Sequence, residues 1–340
     1  MKFAGKCITA LLITLIALLV AGYFLLQTRW GADKVSAWIS EHTGYSLRLG
    51  SITYRWSTPD HLILNNITLG LKGKNTSLTA ERADIGLSTR QFSEPFHVDS
   101  LQLEKGVITL SSTSSPLPLK AERLQLMEMA INSEQPGQSI QAKNVNGGLT
   151  PWLPEGQNLA GTLAQIQLSA GTLTVNGIPA SNVLVQGDID HQKITLRTVG
   201  ADLAQGAITG SLHRDSNGDW TIDMLRFNDI RWQTTQPLPQ VITSLQTLPR
   251  LSINRLEITD ARLEGPQWAV TDLDLSLRNI TLENGAWHSD NGQLSMNASD
   301  IIYQQIHLLD PIINADLSPQ GVVLRQVTSR WEGGMVRTSG

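Results

Sequence analysis

Between Cys7 and Thr28 the chain runs CITALLITLIALLVAGYFLLQT without one charged residue, and no other stretch limits its fold so strongly. A helix rising about 1.5 Å per residue covers roughly 33 Å over such a run, enough to cross a hydrocarbon core of about 30 Å. Residues 7–28 are therefore predicted to form a transmembrane helix. Leu11, Leu12, Leu15, Leu18 and Leu19 supply its apolar body, and Tyr23, Phe24 and Trp30 sit near its outer end, where amphipathic rings prefer the headgroup level. Lys2 and Lys6 lie in the short tail 1–6, so the positive-inside rule keeps the N-terminus cytoplasmic and sends the rest across. A cleavable signal peptide is the rival reading, because Val20-Ala21-Gly22 passes as a cleavage site. The apolar run continues through Tyr23-Phe24-Leu25-Leu26 and is too long for a typical signal, which favours an uncleaved anchor. A lipoprotein reading fails because the sole cysteine, Cys7, precedes the apolar run.

The remaining residues must fold without covalent help. With its one cysteine inside the anchor, the exported part has no internal disulfide and no thiolate metal site. The 26 basic and 30 acidic residues are spread without long runs, which removes nucleic acid as a main partner. Aromatic residues are 5% and charged residues 16% of a chain carried by Leu, Ile, Val, Thr, Ser, Asn and Gln, a palette suited to long β-structure.

Within 29–44, Gly31 to Thr43 reads as a juxtamembrane amphipathic helix, with Val35, Trp38 and Ile39 at helical spacing and Gly44 to end it. It is expected to lie on the membrane or to cap the following sheet. From Tyr45 the period changes to alternation, and 45–340 reads as one β domain. Strands are expected at 46–49, 52–54, 62–64, 67–69, 77–87, 98–110, 119–129, 161–175, 182–189, 193–199, 207–213 and 220–227, resuming at Leu251. Pro59-Asp60 and Asn65-Asn66 mark turns or bulges. The Pro/Gly-rich break at 150–156 is a possible lobe boundary, and 240–247 a short helix between prolines. The final strand, a Gly-Gly turn at 333–334 and the start of another strand leave an open edge, which reads as a fragment of a longer protein.

No motif carries catalysis. The seven histidines are scattered without metal-ligand spacing, and the chain has no G-x-S-x-G, Walker A or G-x-G-x-x-G motif. Asp188 with Asp190, and Asp272 with Asp274, place two carboxylates on one strand face, where a solvated surface is the favoured account. Asn66 and Asn297 match a glycan-acceptor triplet but read better as turn asparagines. No catalytic residue, cofactor site or metal site is expected.

What remains is an aliphatic face. Leu101 and Leu103, Ile108 and Leu110, Leu124 and Leu126, Leu173 and Val175, Val183 and Val185, Ile194 and Leu196, and Leu273, Leu275 and Leu277 are expected to point one way, with polar residues opposite. So many strands with so few helices must close as a sandwich, coil as a solenoid, or leave an apolar groove whose natural ligand is an acyl chain. Periodicity alone leaves the closed core and the open groove equally placed.

Three stretches resemble one family. The anchor running into Arg29-Trp30-Gly31, then Gly44-Tyr45-Ser46-Leu47-Arg48-Leu49-Gly50-Ser51-Ile52, then His97-Val98-Asp99-Ser100-Leu101-Gln102-Leu103-Glu104-Lys105-Gly106-Val107-Ile108-Thr109-Leu110 are similar to the start of AsmA-family proteins. The stretches 270–279 and 329–340 resemble them too. The resemblance implies a curved antiparallel β-sheet shaped as a groove and anchored in the inner membrane of Gram-negative bacteria. It further implies a periplasmic location, phospholipid transport toward the outer membrane, and an association with outer-membrane protein assembly and protein targeting to the membrane. Partners would be phospholipid acyl chains and assembly or lipid-transfer proteins. A closed-core interaction scaffold is the alternative from another class, and an enzyme comes a distant third.

Overall fold

The structure is a computed structural model that describes residues 2–73, 76–110, 119–135, 137–155, 158, 160–247, 250–331 and 334–338, with side chains from Leu12 onward except Thr76 and Gln135. The expected roles of Cys7, Leu11, Gly156, Leu248-Pro249 and Gly333 lie outside these residues or side chains.

The apolar run forms α1 (Lys2–Leu26), and α2 (Arg29–His42) follows after a bend of 80°. Among the described side chains no single helix is long and apolar enough to cross a membrane, although the two together pass by length and composition. Thr28 makes the bend: its hydroxyl donates to the Leu25 carbonyl (2.6 Å) and accepts from the Gly31 amide (3.5 Å). Gly31 is required there, since a Cβ would lie 2.6 Å from the Leu25 oxygen and from the Leu26 backbone. The end of α1 is held by Tyr23, whose hydroxyl donates to the Tyr54 carbonyl (2.6 Å) and whose ring meets those of Tyr54 and Trp56.

The strands divide between two compact units. The first contains β1 (Tyr45–Arg48), β2 (Ser51–Tyr54), β3 (His61–Leu71), β4 (Thr76–Gly86), β5 (His97–Leu110), β6 (Lys120–Gln135) and β7 (Gln138–Thr150). β1 and β2 share β3 as partner, the ladder continues antiparallel to β5, β5 and β6 are parallel, and β6 and β7 are antiparallel. β8 (Leu163–Val175) contributes residues to both units.

The second unit contains β9 (Ile178–Asp190), β10 (Lys193–Leu203), β11 (Gly206–Arg214), β12 (Trp220–Asn228), β13 (Arg231–Gln233), α3 (Leu238–Gln246), β14 (Leu251–Gly265) and β15 (Trp268–Glu283). It continues with β16 (Ala286–His288), β17 (Gly292–Asn297), β18 (Asp300–Tyr303), β19 (Ile306–Ser318), β20 (Gly321–Trp331) and β21 (Gly334–Thr338). Its ladder is antiparallel from β9 to β12, parallel where β12 and β13 meet β14, and antiparallel onward to β21.

The chain is thus mainly β and chiefly antiparallel. The long antiparallel sheet expected from the sequence is present, interrupted by parallel steps at β5–β6 and where β12 and β13 meet β14. A parallel neighbour needs a crossover, which the segment containing α3 provides between β13 and β14.

One device recurs in both units. Asn66, Lys105, Glu128 and Asn144 in the first, and Asp229, Asp260, Asp272 and Asp310 in the second, have φ between 48° and 56° within or between strands. The residue after each of Asn66, Glu128, Asn144, Asp229, Asp260, Asp272 and Asp310 is buried: Ile67, Met129, Val145, Ile230, Ala261, Leu273 and Pro311. In a regular strand, side chains i and i+2 share a face. Here the spacing between same-face residues becomes three at the kink, as in Leu103 to Gly106 and Leu126 to Met129, and the aliphatic side is preserved. β5 and β6 keep register because Lys105 and Glu128 stand at paired positions, whereas the β6–β7, β14–β15 and β19–β20 ladders shift register at their kinks. The kinked amides find partners on the next strand: Asp229 N donates to Thr259 O (3.0 Å), Asp260 N to the Asp274 carboxylate (2.9 Å) and Asp310 N to Ser299 O (2.9 Å).

Left-handed backbone costs an ordinary L-residue about 1–2 kcal/mol, and Asn or Asp less. Replacing the exposed Lys105 (φ 51°) by Asn is therefore expected to raise the urea midpoint, whereas Lys105→Val should cost about 1–2 kcal/mol. Equal midpoints for the three proteins would show that this position does not require the left-handed conformation.

Candidate functional site

The candidate site is the aliphatic face, built from cross-strand rows. In the first unit Leu101 stands between Ile85 and Leu124, Leu103 between Ala83 and Leu126, and Ile108 between Leu78 and Ile131. Leu110 is opposite Ser133. In the second unit one row runs Ala201, Ile208, Phe227, Ile258, Leu275, Met296, Ile313 and Val327, crossing from β10 to β20. A neighbouring row passes through Val185, Val199, Gly210, Leu225, Leu256, Leu277 and Leu294.

These residues divide by burial. Leu101, Leu103, Leu124, Leu126, Val183 and Leu273 are buried at 3–9% exposure. Ile108, Leu110, Leu173, Val175, Val185, Leu275 and Leu277 are half-buried, as is every member of the row through Leu275. Leu273 packs with Ile230, Ala261 and Ala298 in a tight cluster flanked by Phe227, Trp232 and Val270. The buried group stabilises the sheet. The half-buried group is the part of the face that solvent reaches.

The opposite face is polar and internally neutralised. Arg82 bridges Glu104 (3.3 Å) and Asp84 (3.6 Å), and Arg226 with Arg255 clamps Glu257, holding its carboxyl below the usual range chiefly through the Arg255 hydrogen bond. The paired carboxylates of the sequence have structural partners. Asp188 accepts from Arg197, Asp190 lies 2.7 Å from His191 Nδ1, Asp274 accepts the Asp260 amide, and Asp272 is itself a kink residue. Among the described residues no cluster of three or more His, Cys, Asp or Glu is placed to hold a metal ion.

Beside α1, α2 covers the free edge of β1. Ser36 Oγ accepts from the Leu49 amide (3.1 Å) while donating to the Ala32 carbonyl (2.7 Å), and Ser40 Oγ accepts from the Leu47 amide (3.0 Å). Two serines one helical turn apart thus satisfy an edge that would otherwise invite strand addition. Of the expected anchor residues, Leu12, Leu15, Leu18, Leu19, Phe24 and Trp30 are 51–65% exposed, and Tyr23 is partly covered by Tyr54 and Trp56. The aliphatic side chains of α1 stand clear of the sheet.

Sequence reading missed β7, the kink spacing and the serine pair. Each left a signal: Ile140, Ala142 and Val145 with one three-residue step, polar residues flanking buried ones at that step, and Ser36-x-x-x-Ser40 ahead of the first strand.

Strand-after-strand pairing with an aliphatic face in each unit, preceded by an apolar N-terminal helix, defines the class of protein. The chain belongs to the AsmA family. Over its 340 residues it is 52% identical to the AsmA family protein YicH of Escherichia coli (strain K12), and it spans 60% of that protein's length. No family model matches the chain, and no solved structure does.

Two outcomes follow from this placement. Leu126→Ala, at 3% exposure, is expected to cost about 2–5 kcal/mol by leaving a cavity, and Leu277→Ala clearly less, as read from urea unfolding; equal costs would mean that both are core. His61 Nδ1 donates to the Asp84 carboxylate at 2.6 Å, a hydrogen bond that raises the histidine pKa. Its stabilisation is full below the unfolded value of about 6.5 and is lost as pH rises through the higher folded value. The urea midpoint should thus fall between about pH 5.5 and 8 by more in the native chain than in His61→Gln, and parallel profiles would remove the interaction from the stability of the fold.

Proposed function

We propose that this chain is an anchored, non-enzymatic lipid-handling protein whose half-buried aliphatic face holds phospholipid acyl chains in passage between the inner and outer membranes. α1 spans the inner membrane with its N-terminus cytoplasmic, and the sheet is periplasmic. The observation that carries the reading is the row through Leu275: it crosses from β10 to β20 without a polar residue, and all its members stay half-buried. A closed sandwich would bury such mid-sheet positions. The exposed aliphatic surface of α1 supports the anchor, since water alone disfavours a helix so apolar on all sides. Membership in the AsmA family agrees with both.

A second reading has its own support. Leu101, Leu103, Leu124, Leu126 and Leu273 are as buried as ordinary core residues, which suits a scaffold with a closed core that acts on protein targeting to, or assembly in, the outer membrane through sheet edges.

Native mass spectrometry of the detergent-purified chain, and of a soluble form beginning at Arg29, separates the two. Phospholipid is expected on both forms. Leu275→Asp with Leu277→Asp should remove it while the fold persists, because these side chains are only half-buried. A folded, lipid-free soluble form, or lipid retained at normal stoichiometry by the double variant, would overturn the groove reading in favour of the scaffold.

A further inference from the structure

Beside the start of α2 a cavity of about 370 Å³ is lined by Arg29, Asp33, Ser36, Arg48, Leu49 and Gly50. It gathers two arginines and one carboxylate that form no ion pair among the described residues, whereas Arg55, Arg123, Arg214, Arg278 and Arg337, also without one, line no described cavity with an unpaired carboxylate. Arg82, Arg90, Arg197, Arg226, Arg231, Arg250, Arg255, Arg262, Arg325 and Arg330 all have carboxylate partners. Among the described residues Arg29, Arg48 and Asp33 have no ion-pair partner, although all three face the same space. Ser36 is already committed to the Ala32 carbonyl and the Leu49 amide, so the three charged groups are the cavity's unspent polar chemistry.

The surroundings say where this cavity lies. Arg29 is three residues past the end of α1, and α2 turns 80° away. α2 buries Gly31, Ala32 and Ser36 on one side. Its other side presents Trp30 and Trp38 at 57% and 58% exposure, with the Lys34 ammonium 5.8 Å from the Trp30 ring centre. Trp56, beside the end of α1, is 65% exposed. Exposed tryptophans around the end of an apolar helix belong at the headgroup level of a bilayer.

We infer that the Arg29–Arg48–Asp33 cavity binds the head group of an amine-bearing phospholipid, the two guanidiniums taking the phosphate and Asp33 the ammonium. The inference rests on the reading of α1 as a membrane anchor and deepens the lipid assignment by naming the head-group class, phosphoethanolamine being the simplest. Arginine forks match phosphate oxygens with paired donors. A site for a bare anion has no use for a carboxylate, which would repel it; a zwitterionic head group uses both signs. Held there, a lipid is selected by its head group at the membrane surface, while the aliphatic face remains indifferent to it.

The test uses the full chain in dodecyl maltoside micelles, titrated calorimetrically with dihexanoyl phosphatidylethanolamine, dihexanoyl phosphatidylglycerol and inorganic phosphate. The ethanolamine lipid should bind the native chain tighter than the glycerol lipid, and inorganic phosphate about tenfold more weakly than either. Arg29→Gln and Arg48→Gln should each weaken both lipids about tenfold, Arg48→Lys less so because it keeps the charge and loses the fork. Asp33→Asn should abolish the preference for ethanolamine while leaving phosphatidylglycerol binding intact. Arginine variants that bind like the native chain, or a preference that survives Asp33→Asn, would overturn the assignment; phosphate binding as tightly as lipid would reduce the cavity to a free-anion site. Lys105→Asn, at an exposed position that lines neither the cavity nor the aliphatic rows, serves as control and should leave these titrations unchanged, while co-purified lipid on the Leu275→Asp, Leu277→Asp variant reports separately on the acyl-chain reading, so that failure of that reading and failure of the head-group site are told apart.

Discussion

A strand presents its side chains to two faces in strict turn, and a bent sheet must still keep its aliphatic residues on one of them. Those two demands conflict wherever the strand bends. The left-handed residues resolve the conflict by advancing the side-chain phase by one, so that Leu103 and Gly106, or Leu126 and Met129, share a face three residues apart. Where neighbouring strands kink at the same level, as β5 and β6 do, register is kept; the β6–β7 and β14–β15 ladders instead slip by one residue at the kink and recover beyond it. Had one strand kinked alone, its remaining aliphatics would have faced the polar side, at about 25 cal/mol for each Å² left in water.

The residue types at the kinks follow from this requirement. Asn and Asp tolerate positive φ because their short side chains bond locally, and six of the eight kinks use them. Their placement also explains the carboxylates that look chemical in the sequence. Asp272 bends the strand, and Asp274 accepts the amide that the Asp260 kink releases, so the pair serves backbone geometry.

This is why the strands were legible and the sheet was only partly so. Alternation located Ser77–Leu87, Val98–Leu110 and Trp220–Phe227 closely, and Asn65-Asn66 was recognisable as a bulge inside what is one strand, β3. Strict alternation fails across a kink: Leu103 and Ile108 are five apart, which in a regular strand puts them on opposite faces, yet both stand in aliphatic rows. β7 escaped notice for the same reason, its aliphatic residues being interrupted by the kink at Asn144 and by Gly147-Gly148. The parallel pairings were beyond reach because strand neighbours across a long connection are set by packing. Side-chain accessibility was equally hidden: Leu273 and Leu275 are adjacent members of one alternating run, but the first is sealed by Ile230, Ala261 and Ala298 and the second is half-open.

Charge is distributed by the same economy. On the strands most arginines find a carboxylate on the same or the next strand, as Arg82 does with Asp84 and Glu104 and Arg255 with Glu257, though among the described residues Arg123, Arg214 and Arg278 do not. Such half-exposed pairs contribute little to stability, about 0–1 kcal/mol each, but they leave the strands with fewer free charges to attract a ligand. Arg29 and Arg48 differ from the other unpaired arginines in lining one cavity together with Asp33, beside a helix whose aliphatic side chains are bare and whose end carries exposed tryptophans. An uncommitted charge retained next to an apolar anchor is costly if it faces hydrocarbon and cheap if it faces phosphate. A head group bound there, as proposed above, would give these arginines phosphate to face, and the sheet that begins beside them would offer the acyl chains of the same molecule an aliphatic surface.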